Sequence, residues 1–210
     1  MISGPTLKRM TIDGPTGLLE ALVEDAGSQG SFYAVVCHPH PLFGGTMDNK
    51  VVSTLGKALR DVGIPTLRFN FRGVGGSPGV FDNGQGETED AEAIASWGAR
   101  RWRGRQLVLA GFSFGAYVAF RLAVRLPTSR LITLAPPVQR FDFSSLGLPA
   151  CPWLIVQGGA DEVVDPRAVL DWVSGLTLKP QLVVMPDAGH FFHGRLNELR
   201  DAVVTAVRLG

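Results

Sequence analysis

The run Gln106-Leu107-Val108-Leu109-Ala110-Gly111-Phe112-Ser113-Phe114-Gly115 decides how this chain folds. Its first five residues form a short apolar stretch that reads as a buried strand, and Ala116 to Ala123 behind it has helical character. Ser113 therefore falls on the corner between strand and helix. Gly111 and Gly115, two residues to either side, let the backbone turn sharply with no Cβ striking the neighbouring element. Such a corner pushes the hydroxyl outward. The helix that starts behind it leaves the Phe114 N–H without an intrahelical acceptor, free to face an oxygen that gains charge. With 26 glycines in 210 residues, a G-x-S-x-G match carries little by itself. The strand before it and the helix after it are the context the motif requires.

Working outward, the same alternation repeats. Leu7 to Ile12 and Leu18 to Glu24 flank the turn formers Asp13-Gly14-Pro15-Thr16-Gly17 and predict an antiparallel hairpin. Ser31 to Cys37 is near-continuously apolar, as a strand covered on both faces is. Asp48 to Leu59 has helical spacing and stops before Gly63 and Pro65. Thr66 to Phe71 reads as a strand that ends in the glycine-rich loop Arg72-Gly73-Val74-Gly75-Gly76-Ser77. Glu87 to Arg101 is a helix, acidic early and basic late, the order that the helix dipole favours. Past the serine, Arg130 to Ala135, Trp153 to Gln157 and Gln181 to Met185 are further apolar runs, with helices over Pro166 to Val173 and Leu196 to Val207. This alternation predicts an α/β fold in one domain, residues 1–210: a mostly parallel sheet with helices on both faces. Such sheets hold ligands at the carboxyl ends of their strands.

Composition narrows the function. Hydrophobic residues make up 45% of the chain and charged residues 19%, enough to bury a sizeable core. Lys plus Arg number 20 against Asp plus Glu 19, so no net field favours nucleic acid or an anionic membrane. Arg100, Arg101, Arg103 and Arg105 form the one basic cluster and read as a solvated helix end. No leader-like run opens the chain and no apolar run is long enough to span a membrane, so we expect a soluble cytoplasmic protein. Cys37 and Cys151 lie in apolar surroundings and read as buried free thiols.

A serine hydroxyl is a weak nucleophile and needs a base, usually histidine, that a carboxylate orients. Gln157-Gly158-Gly159-Ala160-Asp161 places Asp161 just past one predicted strand, and Asp187-Ala188-Gly189-His190 places His190 just past the last. The order Ser, Asp, His is the one expected of a single fold. Asp187 is a rival acid, but at three residues from His190 it shares a turn with it, so Asp161 is preferred. His193 reads as a surface residue. His38 and His40, on a proline-locked loop with no acidic ligand close in sequence, read as braces of that loop rather than as metal ligands. We expect no metal and no cofactor.

At this point the chain resembles the α/β-hydrolase superfamily over nearly its whole length. It looks most like small, lidless bacterial members with a His-Pro-His-Pro-x-x-Gly-Gly loop, here His38 to Gly45. The other matching pieces are Arg72 to Ser77, Gly111 to Gly115, Gly158 to Asp161 and Gly189-His190. By that resemblance Ser113 is the nucleophile, Asp161 the acid and His190 the base. The second oxyanion N–H, beside that of Phe114, comes in this fold from the His38 loop. Pro39 and Pro41 have no N–H, which leaves His40, with Leu42 as runner-up. The resemblance implies a serine hydrolase that cleaves carboxylic esters or thioesters of small acyl substrates through an acyl-enzyme. An acyltransferase using the same intermediate and a non-catalytic binder on the same fold are the alternatives. Residues 135–152 are too few for a helical cap, so the site should be open and short acyl groups preferred. Its apolar contacts come from a pool of Leu42, Phe43, Phe81, Phe114, Val138, Phe141, Phe143 and Phe191.

Overall fold

The computed structural model describes residues 6–27 and 30–208. Eight strands form one sheet: β1 Thr6–Gly14, β2 Gly17–Asp25, β3 Phe32–Cys37, β4 Thr66–Phe69, β5 Gln106–Phe112, β6 Arg130–Leu134, β7 Trp153–Gly158 and β8 Gln181–Met185. Among the described residues, four α-helices connect them and a fifth follows β8: α1 Lys50–Asp61, α2 Gln85–Arg101, α3 Phe114–Arg125, α4 Pro166–Gly175 and α5 Leu196–Arg208. The strand order is β1-β2-β4-β3-β5-β6-β7-β8. β1 and β2 form the expected antiparallel hairpin, β2 joins β4 antiparallel, and every pair from β4 to β8 is parallel.

The buried runs are apolar on both sides because helices cover both faces. α1 and α5 pack on one face, where Val52, Leu55 and Leu59 meet Ile132, Val156 and Val203. α2, α3 and α4 cover the other, where Ile94, Phe120 and Val169 meet Leu109 and Ile155. Burying one such side chain is worth about 1.5–3 kcal/mol, so the two layers supply the main force that holds the sheet between them. Helix starts follow the caps: Asn49 accepts the Val51 N–H at 2.9 Å and Asp165 accepts the Arg167 N–H at 2.9 Å ahead of Pro166. That is why α1 begins after Asp48, whose carboxylate instead meets Arg9 at 2.7 Å.

One strand is shorter than its sequence predicts. β4 ends at Phe69 rather than Phe71: the next residue still bonds β2, and the one after it bonds a side chain instead of a strand. Asn70 gives its N–H to the Glu20 carbonyl at 2.9 Å, and Phe71 gives its own to the His38 ring at 3.0 Å. The chain turns from β3 to β4 on one side and from β5 to β8 on the other, so the order reverses between β3 and β5. Open α/β sheets carry their sites at the carboxyl ends beside such a reversal. There lie His38 and Ser113. The connection from β6 to β7 contains only a short turn, Ser144–Leu146, and no cap covers that end of the sheet.

Candidate active site

Ser113 has φ 55° and ψ −121°, a conformation that costs a non-glycine residue about 1–3 kcal/mol. The surroundings impose it. The Ser113 N–H is held by the Leu134 carbonyl at 2.8 Å, and its own carbonyl accepts the Ala116 N–H at 2.8 Å to start α3. A Cβ at Gly111 would run into the Gly115 carbonyl, and one at Gly115 into the carbonyls of Cys37 and His38. The two glycines thus let α3 begin directly against the end of β3.

The His190 ring lies between two side chains: Nε2 is 3.1 Å from Ser113 Oγ and Nδ1 is 2.9 Å from Asp161 Oδ2. The loops after β7 and β8 are joined by Gly159 N–H to the Met185 carbonyl (2.8 Å) and Ala160 N–H to the Ala188 carbonyl (3.0 Å), which brings Asp161 to His190. Asp161 Oδ1 accepts the Val163 and Val164 N–H groups at 2.9 and 2.8 Å. Burial opposes ionisation of Asp161, but the hydrogen bonds from His190, Val164 and Val163 outweigh it and hold the carboxyl below its ordinary value. Asp187 is exposed and meets Arg195 at 3.3 Å, away from the ring. His193 is exposed, as expected, and its ring stacks on Phe191.

Two neighbours of this group are not evident in the sequence. Gln157, fully buried in β7, points Nε2 at three acceptors: the Gly158 carbonyl (3.1 Å), Asp161 Oδ2 (3.2 Å) and the Val164 carbonyl (3.5 Å). Glu162 accepts the His190 backbone N–H at 3.2 Å and so fixes the loop that carries the ring. A glutamine inside an apolar strand is the available signal for the first, since a buried amide must find partners. Glu162, one more charge in a loop, gives none.

On the His38 to Gly45 loop, His38 Nδ1–H donates to the Pro39 carbonyl at 2.6 Å and Nε2 accepts the Phe71 N–H at 3.0 Å. Both ring nitrogens are committed to backbone, so this histidine braces the loop. Burial pushes its pKa down to about 4. The His40 carbonyl accepts the N–H groups of Phe43 and Gly45, each at 3.1 Å, and its ring accepts that of Leu42 at 3.3 Å. Leu42 N–H is therefore spent inside the loop. Among the described residues no acceptor is assigned to the N–H of His40 or of Phe114.

Ser113, His190, His40 and Phe114 open onto a cleft of about 340 Å³. Of the apolar pool, Phe43, Phe114, Phe141 and Phe191 line it. Phe81 packs behind, 4.7 Å from the His40 ring, and Phe143 is not a site residue but part of the core against Phe120 and Trp172. Pro137, Arg140, Val163 and Val164 also line it, as do Asn49 and, from the His38 loop, Pro39, Gly44 and Gly45. A larger hollow of about 880 Å³ lies at the amino ends of the strands, between Tyr33, Gln106 and Ser129. It holds no paired nucleophile and base. Among the described residues, no helix is long and apolar enough to cross a membrane, and no three His, Cys, Asp or Glu side chains gather as a metal site would need.

The sheet, its reversal point and the uncapped cleft are those of an α/β hydrolase. No family model matches the chain. A Xanthomonas campestris protein described as a member of the α/β serine hydrolases without a lid superimposes with a TM-score of 0.92 at 48% identity, over 96% of this chain and 94% of that one. An α/β serine hydrolase homologue from Coxiella burnetii does so with a TM-score of 0.91 at 48% identity, over 94% and 96%. An uncharacterised protein of Rickettsia prowazekii is 38% identical over 207 residues, 94% of this chain and 87% of the relative. The chain belongs to the lidless α/β serine hydrolases.

Proposed function

We propose that the protein is a serine esterase or thioesterase for small acyl substrates that works through an acyl-enzyme on Ser113. One observation carries this reading: the unbroken hydrogen-bonded path from Asp161 through His190 to Ser113, at 2.9 and 3.1 Å, which opens onto the cleft. Asp161 holds the proton of the imidazole on Nδ1, which leaves the Nε2 lone pair for the serine. As Oγ attacks the acyl carbon, its proton passes to Nε2, and the carbonyl oxygen takes up negative charge. The N–H groups of Phe114 and His40 stabilise that oxygen, and His40 is preferred to Leu42 because the Leu42 N–H is already bonded. Nε2 then protonates the departing alcohol or thiol, and the cycle repeats with water.

An uncapped cleft admits water to the acyl-enzyme, which supports hydrolysis over transfer to another acceptor. A volume of about 340 Å³ is at the small end for a ligand site and suits short acyl groups. In this reading one domain carries every group the chemistry needs, with no cofactor. The deciding experiment is labelling with a serine-directed fluorophosphonate, followed by mapping of the modified peptide. Modification of Ser113, lost in Ser113→Ala, is expected. An unmodified Ser113 in protein that turns over no ester sinks the proposal in favour of a binding protein.

A further inference from the structure

Charge in the cleft is one-sided. Among the described residues that line it, Arg140 alone bears a permanent charge, and no aspartate or glutamate is present. Arg60, Arg68 and Arg72 are each paired with a carboxylate, whereas no described carboxylate pairs with the exposed Arg140. Nor is its position loose. The N–H groups of Arg140 and Phe141 both bond the Pro137 carbonyl, at 3.0 and 3.2 Å. The Phe141 ring then stacks on Tyr117 of α3 with centroids 4.6 Å apart and planes 27° apart. The turn that carries Arg140 is thereby clamped to the helix that starts at Ser113. Its field reaches the opposite wall, since burial first and the Arg140 charge second both push His40 toward its neutral form.

We propose that Arg140 selects esters or thioesters that carry an anionic group, carboxylate or phosphate, close to the scissile bond. This rests on the hydrolase reading of Ser113 and adds the substrate class to it. A guanidinium presents a planar fork of donors that matches either anion with two parallel hydrogen bonds. With 20 basic against 19 acidic residues the protein has almost no net field, so selection must come from this local group.

The test uses ester and thioester pairs that differ by one anionic group: mono-4-nitrophenyl adipate against 4-nitrophenyl hexanoate, 4-acetoxybenzoate against 4-acetoxybenzamide, and S-(2-phosphooxyethyl) thioacetate against S-(2-methoxyethyl) thioacetate. They place a carboxylate on the acyl part, a carboxylate on the leaving group, and a phosphate on the leaving group. The readout is the ratio of kcat/KM for the anionic over the neutral member. In at least one pair the ratio falls about threefold or more in Arg140→Gln, mainly through KM, falls further in Arg140→Glu, and declines with salt in the wild type. A ratio that moves less than about threefold in all three pairs overturns the role of Arg140. Absent turnover of the neutral esters together with absent labelling of Ser113 instead sinks the hydrolase reading, so the two failures are distinct.

Discussion

His38 and His190 both stand at the carboxyl end of the sheet, 0% and 3% exposed, and burial cannot tell them apart. Their partners do. The His38 ring bonds two backbone groups, the Pro39 carbonyl and the Phe71 N–H, and has no proton left to exchange. The His190 ring bonds two side chains, a carboxylate and a hydroxyl. Each ring carries its hydrogen on Nδ1 and accepts at Nε2, so the difference is not tautomer but what sits at Nε2. A backbone amide there makes a brace, and a hydroxyl there is what the base of the proposed reaction needs.

The largest effects should fall on the His190 side. Ser113→Ala is expected to lower kcat by a factor on the order of 10⁴ or more, His190→Ala by a similar factor, and the double variant by no more than either. Melting temperature should barely move in Ser113→Ala, since among the described residues the hydroxyl's one hydrogen-bond partner is the His190 ring. Ester hydrolysis that survives within about tenfold would remove both residues from the mechanism and erase the contrast with His38.

The carboxylates offer the same contrast one step further back. Asp161→Asn should lower kcat by a factor on the order of 10³–10⁴, because an amide cannot hold the Nδ1 hydrogen and stabilise the imidazolium together. Asp187→Asn should change it by less than about twofold, as exposed ion pairs such as Asp187 with Arg195 are worth little. Steady-state kinetics on one ester decides, and the reverse ranking would assign the acid to Asp187.

Most of this geometry was legible because strand and helix periods survive in the sequence and the loops between them are short. Hence the helix over 85–101 and the strand over 181–185 fall within two residues of where their apolar patterns put them. Ser113, Asp161 and His190 were legible for another reason: they follow strand ends, which periodicity locates. Gln157, Glu162 and Arg140 were not, because each matters only through a group far along the chain or through a wall that folding assembles. Phe143 failed in the opposite sense. Its neighbours Phe120 and Trp172 come from α3 and α4, and no local pattern announces that they meet.

On the His38 side the effect is on stability and appears with pH. The unfolded histidine binds a proton near its ordinary value of 6.5, whereas the buried one refuses it until about 4. Between those values the unfolded state binds more protons, so stability rises with pH across the window and is lost as pH falls through it. The loss by pH 4 amounts to about 3 kcal/mol, since every tenfold difference in proton affinity between the folded and unfolded ring is worth about 1.4 kcal/mol. The depressed Asp161 carboxyl acts in the same direction further into acid, where its stabilisation fades as it takes up a proton. Urea midpoints measured from pH 7 to 4.5 should fall in the wild type and fall less in His38→Asn, although that variant starts lower. Parallel profiles would mean that His38 is not held neutral by burial.

The smallest effect sharpens the comparison most, because it asks whether the contrast extends one residue beyond Asp161. Gln157 Nε2 donates to Asp161 Oδ2, the same oxygen that accepts from His190. Gln157→Met keeps the side-chain volume and removes that donor. It also removes Oε1, a buried acceptor with no partner among the described residues, so the loss of hydrogen bonds to the Gly158 and Val164 carbonyls is partly offset in stability. Turnover should fall by about tenfold, a typical charge-assisted hydrogen bond's worth, while the melting temperature changes little. A double-mutant cycle separates the two ways this can come about. If Gln157 acts by fixing the Asp161 carboxylate, then in the Asp161→Asn background the further change to Met costs almost nothing, because there is no longer a carboxylate to fix. If the same tenfold loss appears in both backgrounds, Gln157 merely packs β7, and the line between bracing and reacting groups runs between it and Asp161.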